Sequence, residues 1–98
     1  MDKNGYNPSI LDTSPDEDYL TKQQSYKTAR HEIFFGNGNR AISKSNGFWA
    51  YFSPESHALI HHNRTIDLRL KEKCQRVYEE THTRDEFMAL IGRNYLED

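Results

Sequence analysis

One cysteine, Cys74, stands in a chain of 98 residues, so no internal disulfide can tie the fold together. The same count removes any zinc site built on paired cysteine knuckles. A chain this short holds one small domain, whose apolar core alone adds only a few kcal/mol of stability, and a staple beyond packing is expected. Just 35% of the residues are hydrophobic, while five are histidine, so a metal staple would use imidazole and carboxylate ligands. No run approaches the roughly 20 apolar residues that span a bilayer, and residues 1–5 lack the basic-then-apolar pattern of a secretion signal. These features predict a soluble protein of the cytoplasm with no membrane partner.

Charge is unevenly placed. The whole chain carries a net −2, unlike a protein that grips duplex DNA through phosphate contacts. Residues 30–76, however, hold eight basic side chains against four acidic ones and four of the five histidines, whereas six acidic side chains face two basic ones from Val77 onward. A nucleic-acid site would therefore be sought in the middle of the chain.

Residues 1–29 read as a polar N-terminal arm, with Gly5, Pro8, Pro15 and the acidic run Asp16, Glu17 and Asp18, and without a sustained apolar period. Ile10, Leu11, Tyr19 and Leu20 offer groups that can dock it. The remainder, 30–98, is read as one α+β domain. Residues 30–35 (RHEIFF) suit a short strand, closed by the turn-forming Gly36, Asn37, Gly38 and Asn39. A second turn is expected at Ser45, Asn46 and Gly47. Residues 48–52 (FWAYF) suit another strand, so the centre reads as two strands joined by a long polar loop.

Ser53-Pro54 marks a helix start, because serine caps free amides and proline at the first helical position has no amide to lose. Beyond a cap at Asn63, the residues Ile66, Leu70, Cys74, Val77 and Tyr78 recur every three or four positions and predict one long helix over 64–80. Cys74 falls on this buried stripe. Thr83 with Glu86 forms a capping box, Phe87, Leu90 and Ile91 form a stripe, and Gly92 suits the position past the end, predicting a short last helix. His82 sits where it can meet the carbonyls ending the long helix.

The helix begun at Ser53 carries His57 and His61, four residues apart and so on one face, about 5–6 Å between Cβ atoms. Two such imidazoles can share one metal ion, and His31 on the first strand is the available third donor. Three neutral nitrogens leave a position for water or phosphate, as in catalytic sites. The alternative is a pair of half-exposed helix residues. Trp49 and Tyr51 alternate with Phe48 and Phe52, so one set packs in the core and the other could stack on bases. Arg64 and Arg69 could bind phosphate or simply face solvent.

The order of His31, a Gly/Asn-rich loop, an aromatic strand and Ser-Pro-x-x-His-x-x-x-His resembles the ββα-metal core of HNH endonucleases. Residues 30–96 are similar to small HNH proteins of bacteriophages, through RHEIFFGNGNR, SPESH, HHNRTIDLRLK and EETHTRDEFMALIGRNYL. The resemblance implies a small ββα-metal core followed by a long helix and a short C-terminal one. It makes His31, His57 and His61 the ligands of one divalent ion, most simply zinc, and puts Glu32 at the position of the general base. That base is normally histidine, whose pKa of about 6.5 suits proton transfer near neutrality better than an ordinary carboxylate at about 4.3. Glu32 is thus open to three roles: base, further metal ligand, or ion-pair partner of Arg30 or Arg40. The middle asparagine of the motif would be Asn39 or Asn46, with Asn39 the first choice. Relatives often carry a Cys-x-x-Cys knuckle before the first strand; residues 18–21 (DYLT) have none.

Two main functions follow from the resemblance, beside a third as an accessory factor in phage DNA packaging or recombination. In the first, the chain is a diverged phage protein whose metal has become a staple and which inhibits a host defence nuclease, such as a CRISPR effector, in the bacterial cytoplasm. The acidic residues Glu79, Glu80, Asp85 and Glu86 would then meet a basic nucleic-acid channel on that partner. In the second, it is an active metal-dependent HNH endonuclease that hydrolyses phosphodiesters in DNA, with Glu32 and Asn39 as catalytic residues.

Overall fold

The computed structural model describes residues 2–36 and 38–96; Asn37, one of the expected turn residues, lies outside them. Among the described residues the fold is α+β: a two-stranded antiparallel sheet and four helices. Strand β1 (Ala29–Glu32) pairs with β2 (Trp49–Phe52), His31 opposite Ala50 and Glu32 opposite Trp49. Because side chains alternate across a strand, His31, Ala50 and Phe52 share the inner face, and Arg30, Glu32, Trp49 and Tyr51 the other. Helices α2 (Pro54–His62), α3 (Arg64–Tyr78) and α4 (Arg84–Ile91) follow.

The sequence rules for helix ends hold at each of these. The Ser53 hydroxyl accepts from Ser56 N with proline in the first turn, Asn63 accepts from Ile66 N, and Thr83 and Glu86 complete a reciprocal capping box closed by Gly92 at φ 81°. Each cap satisfies amides that the helix itself leaves unpaired.

The segment between the strands departs from expectation. In place of a long polar loop, helix α1 runs over Asn39–Asn46 and ends at Gly47 in the left-handed region. Its stripe is short and mostly polar, with Ile42 packed against the core and Ser43 fully buried. The Ser43 hydroxyl donates to Phe34 O at 2.7 Å and accepts from Phe34 N at 3.2 Å. A helix fastened by one buried hydroxyl leaves little apolar period to read.

The core joins Ile33, Phe34, Phe48, Phe52, Ile60, Leu70, Cys74, Tyr78 and Phe87, with Leu11 and Tyr19 contributed by the N-terminal segment. That segment covers the edge of β2 that β1 leaves open. Ser9 donates to Trp49 O, Thr13 Oγ1 accepts from Tyr51 N at 3.0 Å, and Tyr19 N donates to Tyr51 O at 2.8 Å. An exposed strand edge is a template for unwanted pairing, and this one is occupied. At the other end, fully buried Gln75 donates to Glu79 and Asn94 and accepts from Tyr95 N, holding the tail against α3.

Candidate metal centre

His31 leaves the inner face of β1 toward α2, where His57 and His61 stand one helical turn apart. One ring nitrogen from each of the three lies within 4.8 Å of those of the other two, and the Nε2 atoms of His57 and His61 are 3.2 Å apart. Two nitrogens bound tetrahedrally at about 2.0–2.1 Å would be about 3.3 Å apart. Ring centroids of His31 are 5.0 Å from those of His57 and 5.6 Å from those of His61.

His31 gives the sharpest sign that the donors fit an ion. It is 6% exposed, and its Nε2 is buried without a hydrogen-bond partner, the only such side-chain atom among the described residues. Orphaned buried polar groups are rare because their desolvation is uncompensated. Burial, then the charges of His57, His61, Arg40 and Lys71, bring its pKa from 6.5 down to about 4. Burial and the neighbouring His61 also lower that of His57. Both effects favour neutral imidazole, the form that binds metal.

The cluster opens into a pocket of about 160 Å³ lined by Arg30, Glu32, Phe35 and Arg40 as well as the three histidines. His61 is exposed, so one side of the cluster faces solvent. The Glu32 carboxylate accepts from the Tyr6 hydroxyl at 3.1 Å. Among the described residues Glu32 forms neither of the expected ion pairs: Arg30 pairs with Asp2 at 2.8 Å, its guanidinium lying over the rings of Tyr6 and Trp49. Tyr6, Arg30 and Glu32 all lie on the outer face, where the Tyr6 hydroxyl engages the Glu32 carboxylate and Asp2 engages the Arg30 guanidinium. Lys71 sits over the Phe35 ring at 4.4 Å and pairs with Asp67 at 2.8 Å.

No family model matches the chain. Neither a curated protein nor a solved structure matches it either. The likeness to HNH proteins therefore stands on the sequence blocks alone.

Other singled-out residues lie elsewhere. Asn39 opens α1, next to Arg40 but outside the pocket lining, and Asn46 donates to Ile42 O within the same helix at 2.8 Å. Arg64 and Arg69 are exposed on α3. Of the acidic residues, Glu79 accepts from Gln75 and Arg84, Glu86 serves the capping box, and Glu80 and Asp85 are exposed. Cys74 is fully buried and its thiol pKa is pushed well up by burial, which keeps it a thiol and unreactive. His82 stacks on Tyr78 with centroids 4.1 Å apart. Trp49 is 6% exposed, with its indole donating to Asn7 O at 2.8 Å. Sequence reasoning missed Tyr6 and Phe35 as site neighbours; no local pattern marks either. No helix of the described residues is long and apolar enough to cross a membrane.

Proposed function

We propose that this chain is a diverged ββα-metal protein of the HNH type whose three histidines bind one zinc ion and which hydrolyses phosphodiester bonds. The observation that carries the reading is the unpaired, buried Nε2 of His31 set against His57 and His61. The order of β1, β2 and α2, with donors on the first and last, supports it. So does the open side of the cluster, since structural zinc sites are closed by four ligands and catalytic ones keep a position free.

A bound divalent ion would supply Lewis-acid stabilisation of the charge developing on phosphoryl and leaving oxygens. The imidazoles of His31, His57 and His61 would hold it as neutral donors, without cancelling its charge. Arg40 on the pocket wall attracts the anionic phosphate. Glu32 accepts the proton of the attacking water, and the Tyr6 hydroxyl fixes its orientation.

The second reading is a metal-stapled module that binds and inhibits a host nuclease such as a CRISPR effector. The observation in its favour is Glu32 itself, a carboxylate engaged by Tyr6 at the position where the family places a histidine base. A plasmid-nicking assay with bound metal quantified on the same sample, beside His57→Ala, decides between the two. Near-stoichiometric zinc with nicking lost in the variant is expected. Zinc without nicking under any divalent ion would leave the binding module, and no metal at all would overturn both.

A further inference from the structure

Away from the pocket, one buried charge has no counter-ion. Asp18 is 2% exposed and belongs to no ion pair among the described residues. Burial opposes its charge, yet hydrogen bonds from Ser56, Ser53 and Thr21 outweigh that and hold the carboxyl below its usual range. Oδ1 accepts from Ser53 N at 3.0 Å. Oδ2 accepts from Thr21 N at 3.1 Å, Thr21 Oγ1 at 2.7 Å and Ser56 Oγ at 2.7 Å.

These donors belong to two elements. Thr21 lies in a tight turn in which Asp18 N donates to Gln23 O at 2.9 Å, Lys22 N donates to Asp18 O at 2.7 Å and Lys22 takes a φ of 63°. The turn is anchored to β2 by Tyr19, through its amide on Tyr51 O and its ring against Phe52. Ser53 and Ser56 form the first turn of α2, and His57 follows directly. Only Ser53 separates β2 from α2, so the direction of the helix over the sheet is set at one joint, and both of the α2 donors to Asp18 lie at that joint. His61 is about 12 Å along the helix from Ser53. A tilt of about 10° at the joint would then shift His61 by about 2 Å, the length of a zinc–nitrogen bond.

We propose that Asp18 is a positioning residue for the metal centre: its carboxylate clamps the first turn of α2 to the turn at 18–23, so that His57 and His61 meet His31. This rests on the metal reading of the pocket and not on hydrolysis. Groups that orient ligands from outside the coordination sphere typically change metal affinity about 10–100-fold.

The test measures zinc affinity by competition with a chromogenic chelator, in parallel with denaturant stability, for the full chain and for Asp18→Ala, Asp18→Asn and Ser56→Ala. Ile60→Val, a core change on the same helix, is the control for stability alone. Zinc binding weaker by about tenfold in Asp18→Ala is expected, with smaller losses in Asp18→Asn and Ser56→Ala. Ile60→Val should keep full affinity despite its lower stability. The cobalt(II) absorption spectrum, intense only for tetrahedral coordination, should weaken in the Asp18 variants and stay unchanged in Ile60→Val. If Asp18→Ala does not fold, Asp18→Asn and Ser56→Ala carry the comparison. Wild-type affinity and spectra in the folded variants would make Asp18 a purely structural residue and overturn the proposal, while the metal reading survived. Absence of zinc binding by the wild type would remove the metal reading and this proposal together.

Discussion

His31 should make the metal-free protein acid-sensitive by an amount that its burial sets. With a folded pKa of about 4 against an ordinary 6.5, the native state binds fewer protons than the unfolded chain between those values. Stability is therefore complete above the unfolded pKa and falls as the pH drops toward the folded one. Linkage over about pH 7 to pH 5 gives a loss of about 2 kcal/mol, and the full displacement, reached below about pH 4, corresponds to about 3 kcal/mol. The side chain is 6% exposed, so solvent screening takes little from this figure. The assay is urea unfolding of zinc-stripped protein at the two pH values, for the wild type and for His31→Leu, which cannot titrate. The wild type should lose about 2 kcal/mol more than the variant. Saturating zinc should raise stability at both pH values and steepen the wild-type dependence, because the ion keeps protons off the native histidine nitrogens while those of the unfolded chain still take them up. Equal losses in the two zinc-free proteins would refute the reasoning, since the buried imidazole would then cost nothing to protonate.

Three further changes probe the fold and the site. Gly47→Ala places a Cβ against the Pro8 carbonyl at a φ of 74°; a destabilisation of more than about 1 kcal/mol is expected, with faster proteolysis of residues 2–19 as the readout. Ser43→Ala strips Phe34 of both its hydrogen bonds to the buried hydroxyl and should cost about 1–3 kcal/mol in denaturant unfolding; a neutral result would mean that water replaces the hydroxyl. Tyr6→Phe keeps the ring against Trp49 and under Arg30 while removing the donor to Glu32. The nicking rate should fall several-fold with zinc affinity unchanged, and an unchanged rate would show that Glu32 needs no such support.

Helix ends were legible in the sequence because capping is local: Ser53, Asn63, Thr83 with Glu86, and Gly92 each act within three or four residues of themselves. The same locality made His57 and His61 readable as a pair, since a helix puts residues four apart on one face. Their meeting with His31 depended on the angle between α2 and the sheet, which no local spacing contains. Helix α1 escaped notice because its fastening is a serine hydroxyl buried against Phe34, and a polar residue announces burial only once its partner is known. The polar segment at 2–28 likewise became part of the core through Leu11 and Tyr19 and supplied both Tyr6 at Glu32 and Asp18 at α2. Sequence alone determined where α2, α3 and α4 begin and which residue types could hold a metal, because those follow from short-range sterics and donor chemistry. Tertiary structure alone decided which polar groups were buried and by whom they were met, because desolvation is a property of the assembled interior and not of any one segment.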